Sequence, residues 1–195
     1  MLNYIIFDDI AQCTEADIAR LKLLASPQRL EQAMRFKHRR GQWNCLKSYE
    51  ILCRLLQTEQ PLAFHYNDYG KPYLTQDTLS CLRSPYRFFS ISHCKEAIAV
   101  AVSDREIGID IESRNRRISP SLIQSEMNEA EQDYINRHPN PATAFIELWT
   151  KKEAVLKQRG TGITDHLQNV LTGNEPVQTH IYDTYILSIC NGLNN

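Results

Sequence analysis

The stretch IGIDIES, residues 107–113, places two acids in an otherwise apolar run. Side chains alternate along a β-strand, so Asp110 and Glu112 would share one face, opposite the isoleucines between them. Two carboxylates on one face repel each other unless water or a cation separates them. The stretch therefore predicts a strand with one apolar face and one acidic face.

Two β-type runs precede this strand, YRFFSISH at 86–93 and AIAVAVSD at 97–104. Only a short polar turn separates them, which is typical of a hairpin. Three such runs in succession predict an antiparallel meander with residues 107–113 as its third strand. The apolar segment from Tyr4 to Phe7 predicts a further strand near the N-terminus.

The segment before these strands has helical spacing. Ser26 followed by Pro27 has the chemistry of an N-cap with proline at the first helical position. We expect a helix from about Pro27 to Gln57, interrupted near Gly41. Residues 67–74, NDYGKPYL, predict a loop, because their Gly-Lys-Pro sequence favours neither a helix nor a central strand.

The second half repeats this order. Residues 120–138 predict one or two helices, and Asn140-Pro141 opens another that ends near Arg159, before Gly160. Strands are expected at 178–183 and 185–190. The chain is thus predicted to be α+β, with two similar halves, 1–103 and 104–195, each made of helices and a small antiparallel sheet in a pseudo-two-fold arrangement.

Composition excludes several classes of partner. The formal charge of −1 gives no reason to expect nucleic acid. No run approaches the roughly 18 apolar residues of a membrane-spanning helix. The six cysteines lie at irregular spacings, which favours reduced thiols in a cytoplasmic protein.

The segment ELWTKKEAVLK, residues 147–157, places Trp149, Glu153 and Lys157 on one face of the last predicted helix. Alone, Glu153 and Lys157 are an ordinary helical pair worth about 0.2–0.5 kcal/mol. If Glu153 meets the acids of the strand, three carboxylates would need a cation, and Mg²⁺ prefers such oxygen ligands. A metal site that holds a phosphate-bearing substrate is one interpretation, and acids on a solvent-exposed face are the other.

Together these motifs resemble the paired signature of the 4′-phosphopantetheinyl transferases, of the monomeric type that activates peptide and polyketide synthetases. IGIDIE at 107–112 pairs with WTKKEAVLK at 149–157. YGKPYL at 69–74, FSISH at 89–93 and SPQRLEQAMRF at 26–36 are similar to further segments of the family, in the expected order.

The resemblance implies transfer of the phosphopantetheine arm of coenzyme A to a serine of an apo acyl or peptidyl carrier protein, with release of adenosine 3′,5′-bisphosphate. It implies Mg²⁺, or Mn²⁺ in its place, held by Asp110, Glu112 and Glu153. Glu153 would instead, or also, take the proton from the carrier serine. Lys157 would stabilise or protonate the leaving phosphate.

The resemblance also implies contacts with coenzyme A. The residues expected to make them are Arg29, Lys71, Pro72, Ser92, His93 and Lys152. Glu131 matches a further acidic position of the family, with Glu129 as a competitor and an acidic helix start as the simpler interpretation. Gln32, Gly41 and Asn44 depart from the family pattern near the expected 3′-phosphate contacts.

Two other functions compete with a monomeric transferase. One is a homologue that binds carrier protein or coenzyme A without catalysis, although such a protein has no use for a carboxylate cluster. The other is a metal-dependent phosphoesterase such as a nuclease, which needs a basic surface for its polyanionic substrate.

Overall fold

The fold was analysed in a computed structural model, which describes residues 1–10, 13–162, 167–171 and 175–192. The first half contains the strands and helices that follow, in chain order: β1 (Leu2–Phe7), α1 (Glu15–Leu24), α2 (Pro27–Met34), α3 (Arg39–Leu55), β2 (Phe64–Tyr66), β3 (Pro72–Leu74), α4 (Gln76–Cys81), β4 (Phe88–His93) and β5 (Ile98–Ser103). The second half contains β6 (Ile107–Ser113), α5 (Pro120–Glu126), α6 (Glu129–Arg137), α7 (Pro141–Arg159), a 3₁₀ turn (Leu167–Asn169), β7 (Val177–Ile181) and β8 (Tyr185–Asn191).

The two halves share one topology. The first sheet has the order β1-β5-β4 and the second has the order β6-β8-β7, and neighbouring strands in both are antiparallel. In each half the first strand precedes a group of helices, and the last strand lies in the centre of the sheet. The predicted α+β fold with two similar halves is therefore confirmed.

Alternating side chains build three packed interfaces. The outward-facing residues of β5, such as Val100, pack with α3 in one core cluster. The inward-facing alanines of β5 and isoleucines of β6 pack with β8 in a second cluster, between the two sheets. Helix α7 covers the outer face of β6 and β8. The small alanines let the sheets approach closely, as dense core packing requires.

The predicted meander is wrong, because β6 belongs to the second sheet. All seven residues of β6 pair with β8, from Ile107 opposite Asn191 to Ser113 opposite Tyr185. Its other edge meets β4 through side chains, since the hydroxyls of Ser90 and Ser92 accept hydrogen bonds from the backbone N–H groups of Ile109 and Ile111 at 3.0 and 3.3 Å. Serine side chains thus link β4 to β6, whereas the meander predicted a backbone ladder between β5 and β6.

The predicted long helix is also interrupted earlier than expected. Helix α2 ends at Met34, and α3 begins at Arg39 after His38, whose backbone is extended. Gly41 lies inside the first turn of α3, where the ring of Phe36 packs against it. The helix is therefore interrupted at residues 35–38, where the chain turns so that Phe36 packs against Gly41. Helix α1, which the sequence analysis did not identify, precedes both.

Gly108 brings α7 into direct contact with β6. A Cβ atom at this position would lie 1.9 Å from the backbone oxygen of Ala154 and 2.5 Å from the backbone nitrogen of Gln158. Both are backbone atoms of α7, so neither can move without shifting the helix. Only glycine permits the observed separation between helix and strand.

We expect Gly108→Ala to lower the free energy of unfolding by about 1–3 kcal/mol or more, because the added methyl group forces α7 away from β6. Urea unfolding followed by circular dichroism measures the change. Gly192→Ala is the matched control, since its nearest neighbours would lie at an ordinary 3.5 Å from the new Cβ. Equal stability of the two variants would contradict this account of the packing.

Candidate active site between the two halves

The acidic face of β6 and one face of α7 line a common cleft. Asp110 and Glu112 lie on the side of the strand that α7 covers, and Glu153 and Lys157 lie one turn apart on the helix. The cleft has a volume of about 470 Å³, and Ser92 and His93 of β4 form its opposite side. The structure thus brings the two signature segments together with the end of the FSISH segment.

Asp110 is the most enclosed acid of the cleft, with 4% of its surface exposed. Its Oδ1 accepts hydrogen bonds from the hydroxyl of Ser92 at 2.8 Å and from Nζ of Lys157 at 2.6 Å. Nζ of Lys157 also donates to the Ser92 hydroxyl at 3.0 Å. Asp110 Oδ2 is buried without a hydrogen-bond partner, so half of this carboxylate remains available to a ligand.

Glu112 interacts with a cation that the sequence analysis missed. Nη1 of Arg116 donates to Glu112 Oε1 at 2.8 Å, and the guanidinium lies 4.6 Å from the ring centre of Trp149. Burial, and next the charge of Asp110, raise the pKa of Glu112 against the opposing effect of Arg116. Arg116 follows Glu112 by four residues, but an arginine after a strand carries no distinctive signal in the sequence.

Glu153 is the third acid of the cleft, and Asp110, Glu112 and Glu153 are here called the acidic group. Its Oε1 is buried without a hydrogen-bond partner. Burial raises the pKa of Glu153, and the charge of Asp110 raises it further, whereas the ammonium of Lys157 lowers it. A carboxyl group with a raised pKa and an unused oxygen is suited to accept a proton or to bind a cation.

The chemistry of these acids fits a divalent cation. Two carboxylate oxygens, one each from Asp110 and Glu153, are buried without partners and border the same cleft, unlike the partnerless oxygens of Asn44, Glu96 and Glu131. Among the described residues, no group of three or more Asp, Glu, His or Cys side chains is placed so that it could hold a metal ion as the side chains stand. The cleft therefore offers free oxygen ligands while Lys157 and Arg116 neutralise Asp110 and Glu112.

The residues expected to contact coenzyme A lie at different depths. His93 lies at the end of β4, where the protein atoms packed around its imidazole lower its pKa by displacing water, and the charges of Lys157, Arg40 and Arg29 lower it further. The half-buried Arg29 donates from Nε to the backbone oxygen of Cys45 at 3.0 Å and from Nη1 to Gln32 at 2.8 Å. Several positive charges thus surround His93.

Lys71 and Pro72 line a second cavity, of about 300 Å³, that shares Ile91, Glu153 and Lys157 with the first. The predicted Gly-Lys-Pro loop is therefore placed beside the acidic group, although Pro72 itself begins the short strand β3.

Lys152 does not reach either cavity, and its predicted contact with phosphate is inconsistent with the structure. Its side chain is fully buried, and Nζ donates to Glu131 Oε2 at 2.6 Å and to the backbone oxygens of Glu126 and Leu167, both at 2.9 Å. An ammonium group has three hydrogens, and these partners use all of them. Lys152 instead anchors α7 to the segment around α6.

Glu131 likewise has a structural role, as the simpler interpretation predicted. Its backbone N–H donates to the side chain of Asn128, and its carboxylate accepts from the Asn128 N–H, both at 2.9 Å. This reciprocal pair is a capping box at the start of α6. The carboxylate of Glu131 therefore joins the helix cap to the buried ammonium of Lys152.

Comparison with known proteins identifies the family. Residues 106–186 match the family described as the 4′-phosphopantetheinyl transferase superfamily, a range that includes β6 and α7. The chain is 30% identical to the 4′-phosphopantetheinyl transferase AcpT of Salmonella typhi, over 78% of this chain and 77% of that protein. The chain belongs to the 4′-phosphopantetheinyl transferase superfamily. This membership confirms the predicted family.

Other 4′-phosphopantetheinyl transferases differ in how much of their length is matched. One from Bacillus subtilis is 27% identical over 88% of this chain and 84% of its own length. The transferase gsp of Aneurinibacillus migulanus is 30% identical over 62% of this chain, which spans only 48% of that protein. Within the described residues of this superfamily member, no helix is both long and apolar enough to cross a membrane.

We expect Lys152→Met to lower the free energy of unfolding by about 3–5 kcal/mol, because it leaves the Glu131 carboxylate buried without its partner. Adding Glu131→Gln should recover part of the loss, since glutamine retains the capping box without the charge. Urea unfolding measures both variants. Arg137→Met, which breaks an exposed ion pair, is the control and should change stability by less than about 1 kcal/mol. An unchanged stability of Lys152→Met would contradict the anchoring role.

Proposed function

We propose that this chain transfers the 4′-phosphopantetheine arm of coenzyme A to a serine hydroxyl of an apo acyl or peptidyl carrier protein. Adenosine 3′,5′-bisphosphate is the other product. One observation carries the proposal within the family: Asp110, Glu112, Glu153 and Lys157 line one cleft, and two of their carboxylate oxygens are buried without partners. A protein that only binds its ligand gains nothing from such a costly arrangement, because buried carboxylate oxygens without hydrogen-bond partners destabilise the fold.

The acids of β6 and α7 are proposed to hold Mg²⁺, with Mn²⁺ as the alternative ion. Asp110, Glu112 and Glu153 offer the oxygen ligands that Mg²⁺ prefers. The bound ion would neutralise negative charge on the pyrophosphate of coenzyme A. Ser92 and Lys157 orient the Asp110 carboxylate through its Oδ1, which leaves Oδ2 for this purpose.

Two groups on α7 are proposed to assist the transfer, one as a base and one as a stabilising charge. The raised pKa of Glu153 suits it to accept the proton of the carrier serine as its oxygen attacks the β-phosphorus. Lys157, one turn further along, carries the positive charge that stabilises the leaving 3′,5′-bisphosphate. Because both residues are fixed on one helix, their separation does not depend on a mobile loop.

The phosphates and adenine of coenzyme A are proposed to lie toward β4 and α2. Ser92 and His93 line this side of the cleft, and Pro72 borders the adjoining cavity. Arg29, whose charge acts on His93, is proposed to contact the phosphates from α2. The charges of Arg29, Arg40 and Lys157 that lower the pKa of His93 also make this side of the cleft attractive to phosphate. The chain is proposed to act as a cytoplasmic monomer, with its two halves in the place of two subunits.

The proposal is tested by incubating the protein with coenzyme A, Mg²⁺ and either an apo acyl carrier protein or an apo peptidyl carrier protein. Intact-mass spectrometry should show the gain of one phosphopantetheine arm on at least one carrier. Asp110→Asn should slow the gain by about 100-fold or more, because it removes a negative charge that is proposed to hold the metal ion against the pyrophosphate. Asp133→Asn removes an exposed carboxylate of α6 instead, and it should react at the wild-type rate.

No mass gain on either carrier, from protein that still binds coenzyme A in a calorimeter, would favour a binding homologue over the transferase. Full activity of Asp110→Asn would instead show that the assignment of the acidic group is wrong.

The metal is tested separately by thermal unfolding in the absence of substrate. Mg²⁺ at 100 times its dissociation constant should stabilise the wild-type fold by about 2.7 kcal/mol, since only the folded chain presents the site. Glu153→Gln should abolish most of this shift, whereas Asp133→Asn should retain it. Chelation with EDTA should stop transfer and remove the shift together. A shift that persists in Glu153→Gln would place the metal elsewhere.

A further inference from the structure

The loop at residues 67–71, here called the bridging loop, connects the first half of the chain to the end of α7. Nδ2 of Asn67 donates to the backbone oxygen of Gly160 at 2.8 Å. Oδ1 of the same side chain accepts from the backbone N–H groups of Tyr69 and Lys71, at 3.1 and 2.9 Å. One asparagine thus shapes the loop and ties it to the other half.

Lys71 makes a second connection from the same loop. Its ammonium donates to the backbone oxygen of Gln158 at 2.8 Å and forms an ion pair with Glu106, just before β6. Only 10% of the Lys71 side chain is exposed, and Nζ lies 5.3 Å from the ring centre of Tyr73. A cation beside the last carbonyl groups of a helix is favourable in the field of the helix dipole. The charge of Lys71 is therefore already matched by protein groups of the second half.

The end of α7 is shaped to receive this side chain. Gly160 caps the helix with φ 71°, and a Cβ atom there would lie 2.9 Å from Cδ of Lys71. Gly162 also has a positive φ and lies against Tyr69 of the bridging loop. Two glycines thus allow the loop to lie directly on the terminus of the helix that carries Glu153 and Lys157.

These contacts form the cavity of about 300 Å³ beside the acidic group. Tyr69, Gly70 and Lys71 provide one wall, and α7 provides the wall that contains Glu153 and Lys157. The width of the cavity at this point therefore depends on how firmly the bridging loop is attached to α7. Asn67 and Lys71 make that attachment.

We propose that Lys71 is a positioning residue. Its bond to Gln158 and its ion pair with Glu106 act as a latch that holds the bridging loop against α7 and the start of β6, and so fixes the cavity beside Glu153 and Lys157. This differs from the direct contact with coenzyme A that the family resemblance implies for Lys71. The inference rests on the proposed function only for what the cavity receives; the latch itself is a property of the fold.

The test compares Lys71→Met, Glu106→Leu, the double variant and Lys71→Arg in the full chain. The first readout is amide hydrogen exchange without substrate, followed at the bridging loop and at Gly160, whose N–H bonds to Leu156 at 2.8 Å. Both single variants should accelerate exchange there by about tenfold, because each removes one charged partner of the same pair. Arg137→Met should leave exchange at these amides unchanged.

The second readout is steady-state transfer. Both single variants should lower kcat/KM by about 10- to 100-fold, because a wall displaced by an ångström misaligns the reacting groups. The double variant should be no worse than either single one, since both act through one interaction. Lys71→Arg, which can still pair with Glu106, should recover most of the loss.

Other results for KM and hydrogen exchange would contradict the positioning role of Lys71. If Lys71 binds coenzyme A directly, Lys71→Met alone raises KM for coenzyme A, and Glu106→Leu changes neither KM nor hydrogen exchange. If the wild-type chain modifies no carrier, the proposed function fails, but the exchange experiment still decides the latch: faster exchange in both variants supports it, and unchanged exchange refutes it.

Discussion

The contact between α7 and β6 is the constraint on which the site depends. Gly108 allows the helix backbone to lie against the strand, and two residues later Asp110 faces the helix beside Lys157. Any larger side chain at 108 would separate the two signature segments. The packing that stabilises the second half therefore also assembles the acidic group.

Electrostatics explain why basic side chains accompany the three acids of the cleft. Three carboxylates around one cleft repel each other, and the rise in the pKa values of Glu112 and Glu153 reflects their burial and this repulsion. The fold compensates with Lys157 on Asp110 and Arg116 on Glu112. The buried ion pair between Lys152 of α7 and Glu131 of α6 keeps the helix in place without lining the cleft. Two lysines of one motif thus have different roles: Lys152 is structural, and Lys157 lies in the cleft.

The duplicated topology explains why the cleft lies where it does. Each half places its last strand in the centre of its sheet, so β4 and β6 are left as edge strands that meet. Ser90 and Ser92 satisfy the open edge of β6, and Ser92 also bonds to Asp110. Ser92 of the first half therefore holds Asp110 of the second half in place, and neither half could form the site alone.

The sequence by itself determined the alternation of β6, the α+β class, the caps of α7 and the family signature, because these depend on local periodicity and on residues close together in the chain. The tertiary structure decided the rest. It assigned β6 to the second sheet, since strand pairing depends on competing partners that local sequence does not rank. It also decided that Lys152 is buried and that Lys71 lies on the end of α7, because the environment of a long, flexible side chain is set by the elements that pack around it.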